Sequence, residues 1–134
     1  MLIIKHTVET KASATDIWHI WQDVKNWNTW DHGIEFSTIN GPFEAGTTGT
    51  LKPKGGPLVH TKLTQVQPMK MFVDESKLFL ARIIVSHYLT ESEGKRLVTH
   101  QIEMTGRTMK KNLPQEMEAM IKKAENLSKT KNFQ

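Results

Sequence analysis

Two histidines carry the sequence's clearest chemistry. In "ARIIVSHYL" (81–89) the odd positions Ala81, Ile83, Val85, His87 and Leu89 share one side, and in "RLVTHQIEM" (96–104) the even positions Val98, His100, Ile102 and Met104 do. Both sides are apolar apart from the histidine, as the inner face of a strand pair should be. If "SEGK" (92–95) forms the hairpin turn, a loop of either two or four residues places His87 opposite His100. Directly opposed residues have Cβ atoms about 4.5–5.5 Å apart, so the two imidazoles are expected to be neighbours. Three roles stay open for them. They can be buried polar residues whose hydrogen bonds are satisfied locally. They can orient the carbonyl or hydroxyl of a ligand and move protons as general acid and base, because neutral imidazole both donates and accepts. They can also ligate a metal, although no HExxH-type spacing supports that. Two adjacent buried imidazoles resist double protonation, so at least one should titrate below its ordinary value of about 6.5.

The elements that must hold this pair follow from periodicity. "LIIKHTVETK" alternates Ile4, His6 and Val8 against Lys5, Thr7 and Glu9, a half-buried strand. Ser13 followed by Asp16 resembles a capping box with a shortened acid. Ile17, Ile20, Trp21 and Val24 then recur at helical spacing, predicting a short helix that ends near Asp23. Asn26, Asn28 and "DHG" (31–33) break that period, which puts Trp27 and Trp30 in a second short helical turn or a loop. Beyond Gly33, "IEFSTI", "TTGTLKP", "PLVHTKLTQV", "MKMFVDES", "ARIIVSHYLTE" and "RLVTHQIEMTG" read as six further strands between turn-forming segments. After Asn112, Pro114 suits a first helical turn, and Leu113, Met117, Met120, Ile121, Ala124 and Leu127 share one face. That predicts a closing amphipathic helix of about 15 residues, about 22 Å long. A one-faced sheet and a one-striped helix must cover each other, giving an α+β domain in which the sheet grips the helix.

All four tryptophans lie between Trp18 and Trp30. Each buries about 150–250 Å², enough to plug one end of the sheet. In one reading Trp18 and Trp21 are core and Trp30 fixes the end of the barrel; in the other Trp27 or Trp30 also lines the cavity mouth and stacks on a ligand.

Composition narrows the function. With 134 residues the chain suits one domain, 1–134, and without cysteine it has no disulfide scaffold, thiol chemistry or thiolate metal site. Apolar residues after Met1 stop too soon for a signal-peptide core, and no run approaches the roughly 20 residues of a membrane helix. A soluble, cytoplasmic protein without membrane insertion is expected. The net charge of +4 does not imply nucleic-acid binding, because the C-terminal lysines alternate with Glu116, Glu118 and Glu125 as on a solvated helix face. "KPKGGP" (52–57) lacks the GxxxxGK[ST] pattern and reads as a turn, and no serine sits in a nucleophile elbow. Met104, Met117 and Met120 supply an adaptable pocket wall or simply core. No cofactor or metal is expected.

Order and spacing together give the chain a recognisable signature. "SATDIWHIWQDVKNWNTWD" has the form small-x-x-x-apolar-Trp; "GPFEAGTTG" precedes the third strand; "VQP" ends the fourth; "EGKRLVTHQIEMTG" forms the last hairpin and "LPQEMEAMIKKAENL" the closing helix. In these features the sequence resembles the SRPBCC (START/birch-pollen-allergen-like) superfamily, and within it the polyketide cyclase/dehydrase-like group. Gly94-Lys95-Arg96 stands where the group usually has Gly-Thr, at an exposed turn. The resemblance implies a helix-grip fold: a seven-stranded antiparallel sheet wrapped around a long C-terminal helix, with two short helices after strand one. It also implies pairing of strand one with strand seven, which makes a row of His6, His100 and His87 possible. By the same resemblance the cavity between sheet and helix holds a small hydrophobic molecule, lipid- or polyketide-like, in a monomer or homodimer. The expected ligand contacts are His6, Trp30, Phe36, Val85, His87, His100, Ile102, Met104, Met117 and Ile121. A binding protein is the first expectation; a cyclase or dehydratase using His87 or His100 as general acid/base is the alternative. An interaction module would instead leave the cavity small and filled.

Overall fold

The computed structural model describes residues 2–78 and 81–106. Chain order is β1 (Leu2–Thr10), α1 (Ala14–Gln22), a 3-10 segment (Val24–Thr29), β2 (Ile34–Ile39), β3 (Thr48–Pro53), β4 (Val59–Gln67), β5 (Met71–Lys77), β6 (Ala81–Ser92) and β7 (Lys95–Gly106). The strands form one curled antiparallel sheet of order β1-β7-β6-β5-β4-β3-β2, so strand one does pair with strand seven. The expected closing helix, with Met117 and Ile121, lies outside the described residues.

Local chemistry accounts for the boundaries. Ser13 caps α1, its hydroxyl accepting from the Asp16 backbone N–H at 3.1 Å. The 3-10 segment resolves the ambiguity after Asp23: Trp27 sits within it and Trp30 just beyond, both with buried rings. The β6–β7 turn is the two-residue form, with Ser92 opposite Lys95 and with Glu93 and Gly94 at φ of 53° and 77°. Two left-handed residues in succession match the hairpin turn whose twist suits the flanking strands. Bulges interrupt the β2–β3 register between Ile34 and Phe36 and the β4–β5 register between Leu63 and Gln65. Such insertions bend the bulged strand and increase its twist.

At Gly49 the chain has no room for a side chain: a Cβ there would lie 2.2 Å from the Thr38 carbonyl oxygen. Glycine is therefore what lets β2 and β3 approach this closely.

The sheet's two faces divide cleanly. Outward, Thr7 and Thr99 share a hydroxyl hydrogen bond at 2.9 Å, and Arg82 grips Glu75 with Nε and Nη2 at 2.9 and 3.0 Å. That two-pronged hydrogen bond, more than any longer-range attraction, holds the Glu75 carboxyl below its ordinary value of 4.5. Inward, α1 and the 3-10 segment pack Ile17, Trp18, Trp21, Trp27 and Trp30 against Phe72, Leu89, Val98 and Ile102. The tryptophan-rich stretch is thus the plug over one end of the concave face. No helix among the described residues is long and apolar enough to cross a membrane.

Candidate functional site

The ladder sets two cross-strand rows side by side on the concave face. One runs His6, His100, His87, Phe72, Val66 across β1, β7, β6, β5 and β4. The other runs Ile4, Ile102, Val85, Asp74, Leu63 across the same strands. Parity places His87 opposite His100 as expected, and the β1 register adds His6 directly opposite His100.

The first row is an aromatic stack with imidazoles inside it. The His87 ring lies flat on Phe72, centroids 3.8 Å and planes 7° apart, and meets His100 edge-on at 4.6 Å. Trp21 packs against both imidazoles at 5.6 and 5.9 Å, and Trp30 against His100 at 6.2 Å. His87 is 5% exposed and His100 0%, while His6 at the sheet edge is half-buried. Its Nδ1–H donates to the Phe72 carbonyl oxygen at 3.3 Å, fixing the His87 ring against β5. Because rings of Trp21 and Trp30 roof the pair, a ligand touches either imidazole only by displacing what covers it.

Neighbouring polar groups differ in how they are satisfied. Trp27 Nε1–H donates to the Trp21 carbonyl oxygen at 2.8 Å, and the Ser37 hydroxyl to the Val24 carbonyl oxygen at 2.6 Å, so the 3-10 segment is tied at both edges. Trp30 Nε1, in a side chain 3% exposed, finds no acceptor among the described residues. The loop between β2 and β3 reaches back over this end. Gly46 N–H donates to the Leu63 carbonyl oxygen at 2.7 Å, and Phe43 meets Trp18 and Phe72 edge-on at 5.6 and 5.0 Å.

Several other expected contacts share the concave face: Ile102 and Met104 are buried and Val85 half-buried. Phe36 is placed elsewhere. The bulge at Glu35 shifts the alternation of β2, so Ile34 and Ser37 point inward and Phe36 is 43% exposed opposite Lys52. Among the described residues no three His, Asp or Glu side chains are grouped as a metal ion would require.

The second row contains a residue that motif reading passes over. Asp74 is 9% exposed on an otherwise apolar row. Asp74, followed by Glu75 in "MFVDESK", matches no spacing pattern. Its signal is alternation, which gives Asp74 the side of Phe72 once that ring is known to face inward. Asp74 borders a small pocket of about 20 Å³, lined also by Trp27, Gly49, Leu51, Thr61 and Leu63. That is room for about one water-sized group.

The sequence profile described as polyketide cyclase / dehydrase and lipid transport matches residues 1–130. The chain belongs to that family. No curated protein matches the sequence. Among solved structures, the di-domain ARO/CYC StfQ from the steffimycin biosynthetic pathway superposes with a TM-score of 0.73 at 7% identity, covering 98% of this chain and 52% of StfQ. The chain thus spans about half the length of StfQ. Norcoclaurine synthase from Thalictrum flavum gives a TM-score of 0.68 at 16% identity, covering 94% of this chain and 85% of that one. A START superfamily protein from Mycobacterium smegmatis gives 0.65 at 13% identity, covering 96% and 97%. Identities this low show the shared fold, which is the START-like one the sequence resembles.

Proposed function

We propose that the protein binds a small apolar or aromatic molecule, lipid- or polyketide-like, against the concave face of the sheet. One observation carries this reading. The face buries His87 and His100 among aromatic rings and Asp74 on an otherwise aliphatic row. Ligand sites characteristically combine apolar walls with a few placed polar groups. Membership of a family described by polyketide cyclisation, dehydration and lipid transport supports the same class of ligand.

The second reading is a cyclase or dehydratase. It is favoured by the adjacency of the His87 and His100 rings, centroids 4.6 Å apart, since imidazole can both give and take a proton. This chemistry requires Trp21 or Trp30 to move aside, so substrate binding and ring displacement would be one event. Only the described pair His87 and His100 are assigned to it.

Native mass spectrometry of the protein purified without denaturant from its own host tests the binding reading. A small-molecule adduct that leaves on collisional activation is the expected result. A bare mass from the host, together with no saturable binding of 2-naphthol below about 1 mM, would contradict it.

A further inference from the structure

We propose that Trp30 makes the polar contact to the bound molecule: its indole N–H donates to an uncharged acceptor oxygen, a carbonyl, that the ligand carries. The inference rests on the binding reading above and specifies the ligand's chemistry. An indole N–H inside a protein normally finds a partner, because an unpaired one forfeits its hydration with no return. Trp27 follows that rule through the Trp21 carbonyl oxygen. Trp30 breaks it: the side chain is 3% exposed, and Nε1 has no acceptor among the described residues. Arg96 Nε also lacks one, but its guanidinium is held by the Ala12 carbonyl oxygen at 2.6 Å and by Glu91 at 2.7 Å. For packing alone, phenylalanine would supply a ring at position 30 without an unpaired donor. A buried donor left over in this way is a local conflict of the kind that marks functional sites.

The same ring is placed to yield. Trp30 is the first residue beyond the 3-10 segment, whereas Trp21, the other ring over the imidazoles, belongs to the capped helix α1. Trp21 is wedged among Trp18, Phe72, His87 and His100. Trp30 meets Trp27 and His100, each at 6.2 Å. Swinging the Trp30 ring off His100 breaks no hydrogen bond of Nε1, and a ligand oxygen arriving beside it makes one. Entry and recognition are then a single event, in which the ligand takes the place beside His100 that the indole gives up. That place has the dimensions of a fused six- and five-membered ring pair. An ionised carboxylate would lose its hydration there among aromatic rings, and a neutral carbonyl loses far less, which is why the acceptor is assigned as a carbonyl.

Indane and 1-indanone test this, because both have the ring skeleton of indole and they differ by one carbonyl oxygen. Each is titrated at pH 7 into wild type and into Trp30→Phe, followed by amide and indole N–H NMR. Hydrophobic partition alone favours indane, so a preference for the ketone requires a donor at the site. Wild type should bind 1-indanone more tightly than indane, by about fivefold, with a saturable downfield move of the Trp30 indole proton that indane does not produce. Trp30→Phe, which keeps an aromatic ring, should favour indane. Wild-type protein that binds indane as tightly as the ketone or more so would overturn the role of Trp30 and leave the binding reading intact. An unmoved Trp30 indole proton while concave-face resonances shift would do the same, as would a folded Trp30→Phe that still favours the ketone. The wild-type comparison decides the matter even if Trp30→Phe does not fold. If neither probe binds and 2-naphthol does, the role of Trp30 alone falls; if none of the three binds, both readings fall.

Discussion

Phe72→Ala should be among the most damaging single truncations in the described structure. The Phe72 ring is fully buried and sits at the centre of the aromatic cluster. It meets Trp18, Trp21, Trp27 and Phe43 at centroid distances of 6.4, 5.3, 6.1 and 5.0 Å, besides the 3.8 Å stack with His87. Removing a buried Phe ring costs about 3–5 kcal/mol, the larger values going to sites whose surroundings cannot collapse. Collapse is poor here. Trp27 is pinned through Nε1 to the Trp21 carbonyl, Trp18 and Trp21 belong to a capped helix, and His87 is held through Nδ1 to the Phe72 backbone, which the substitution leaves in place. Each aromatic pair also contributes about 0.5–1.5 kcal/mol beyond its buried area. A loss of about 4 kcal/mol is therefore expected, out of the roughly 5–15 kcal/mol that holds a domain of this kind together. At this chain length that corresponds to a fall in Tm of about 12–16 °C. Urea denaturation followed by far-UV and near-UV circular dichroism measures it, with Phe72→Leu as a partner variant that keeps much of the volume and should lose about half as much. A loss below about 1 kcal/mol for Phe72→Ala would refute the idea that this ring organises the concave face.

Two smaller effects follow from the turn and the outer face. Glu93→Asn replaces a residue that adopts φ of 53° reluctantly with one that tolerates it, and should stabilise the β6–β7 hairpin by about 0.5–1 kcal/mol in a denaturant titration. Because Arg82 lowers the folded-state value of Glu75, the contribution of this pair is fully present above the ordinary carboxylate value of 4.5 and disappears as pH falls through the lowered one. The Tm difference between wild type and Arg82→Gln should accordingly shrink towards zero between pH 5 and pH 3, and also on raising salt; a difference constant over that range would show that the pair does not act through Glu75 ionisation.

The fold was legible in the sequence where a period and a turn agreed. "SEGK" with apolar alternation on both sides fixed the register of β6 against β7, hence the neighbouring imidazoles, because a slip of one residue would turn every inward side chain outward. The Trp27 and Trp30 region stayed ambiguous because 3-10 geometry repeats neither at 3.6 nor at 2 residues. Phe36 lies off the inward alternation because a bulge adds one residue that no periodicity announces. Asp74 was invisible as a motif for a different reason. An acid of this kind gains meaning only from the rows beside it, and those are set by strand register, including a β4–β5 bulge that the sequence does not announce.

Whether a ligand binds on the concave face is read most directly by amide and indole N–H NMR during a 2-naphthol titration. Saturable shifts are expected at Thr61, Leu63, Asp74 and Val85 and at the Trp27 indole, with the outward-facing Lys5, Glu75 and Gln101 unmoved. Shifts confined to the outward residues, or none anywhere at saturating probe, would contradict it.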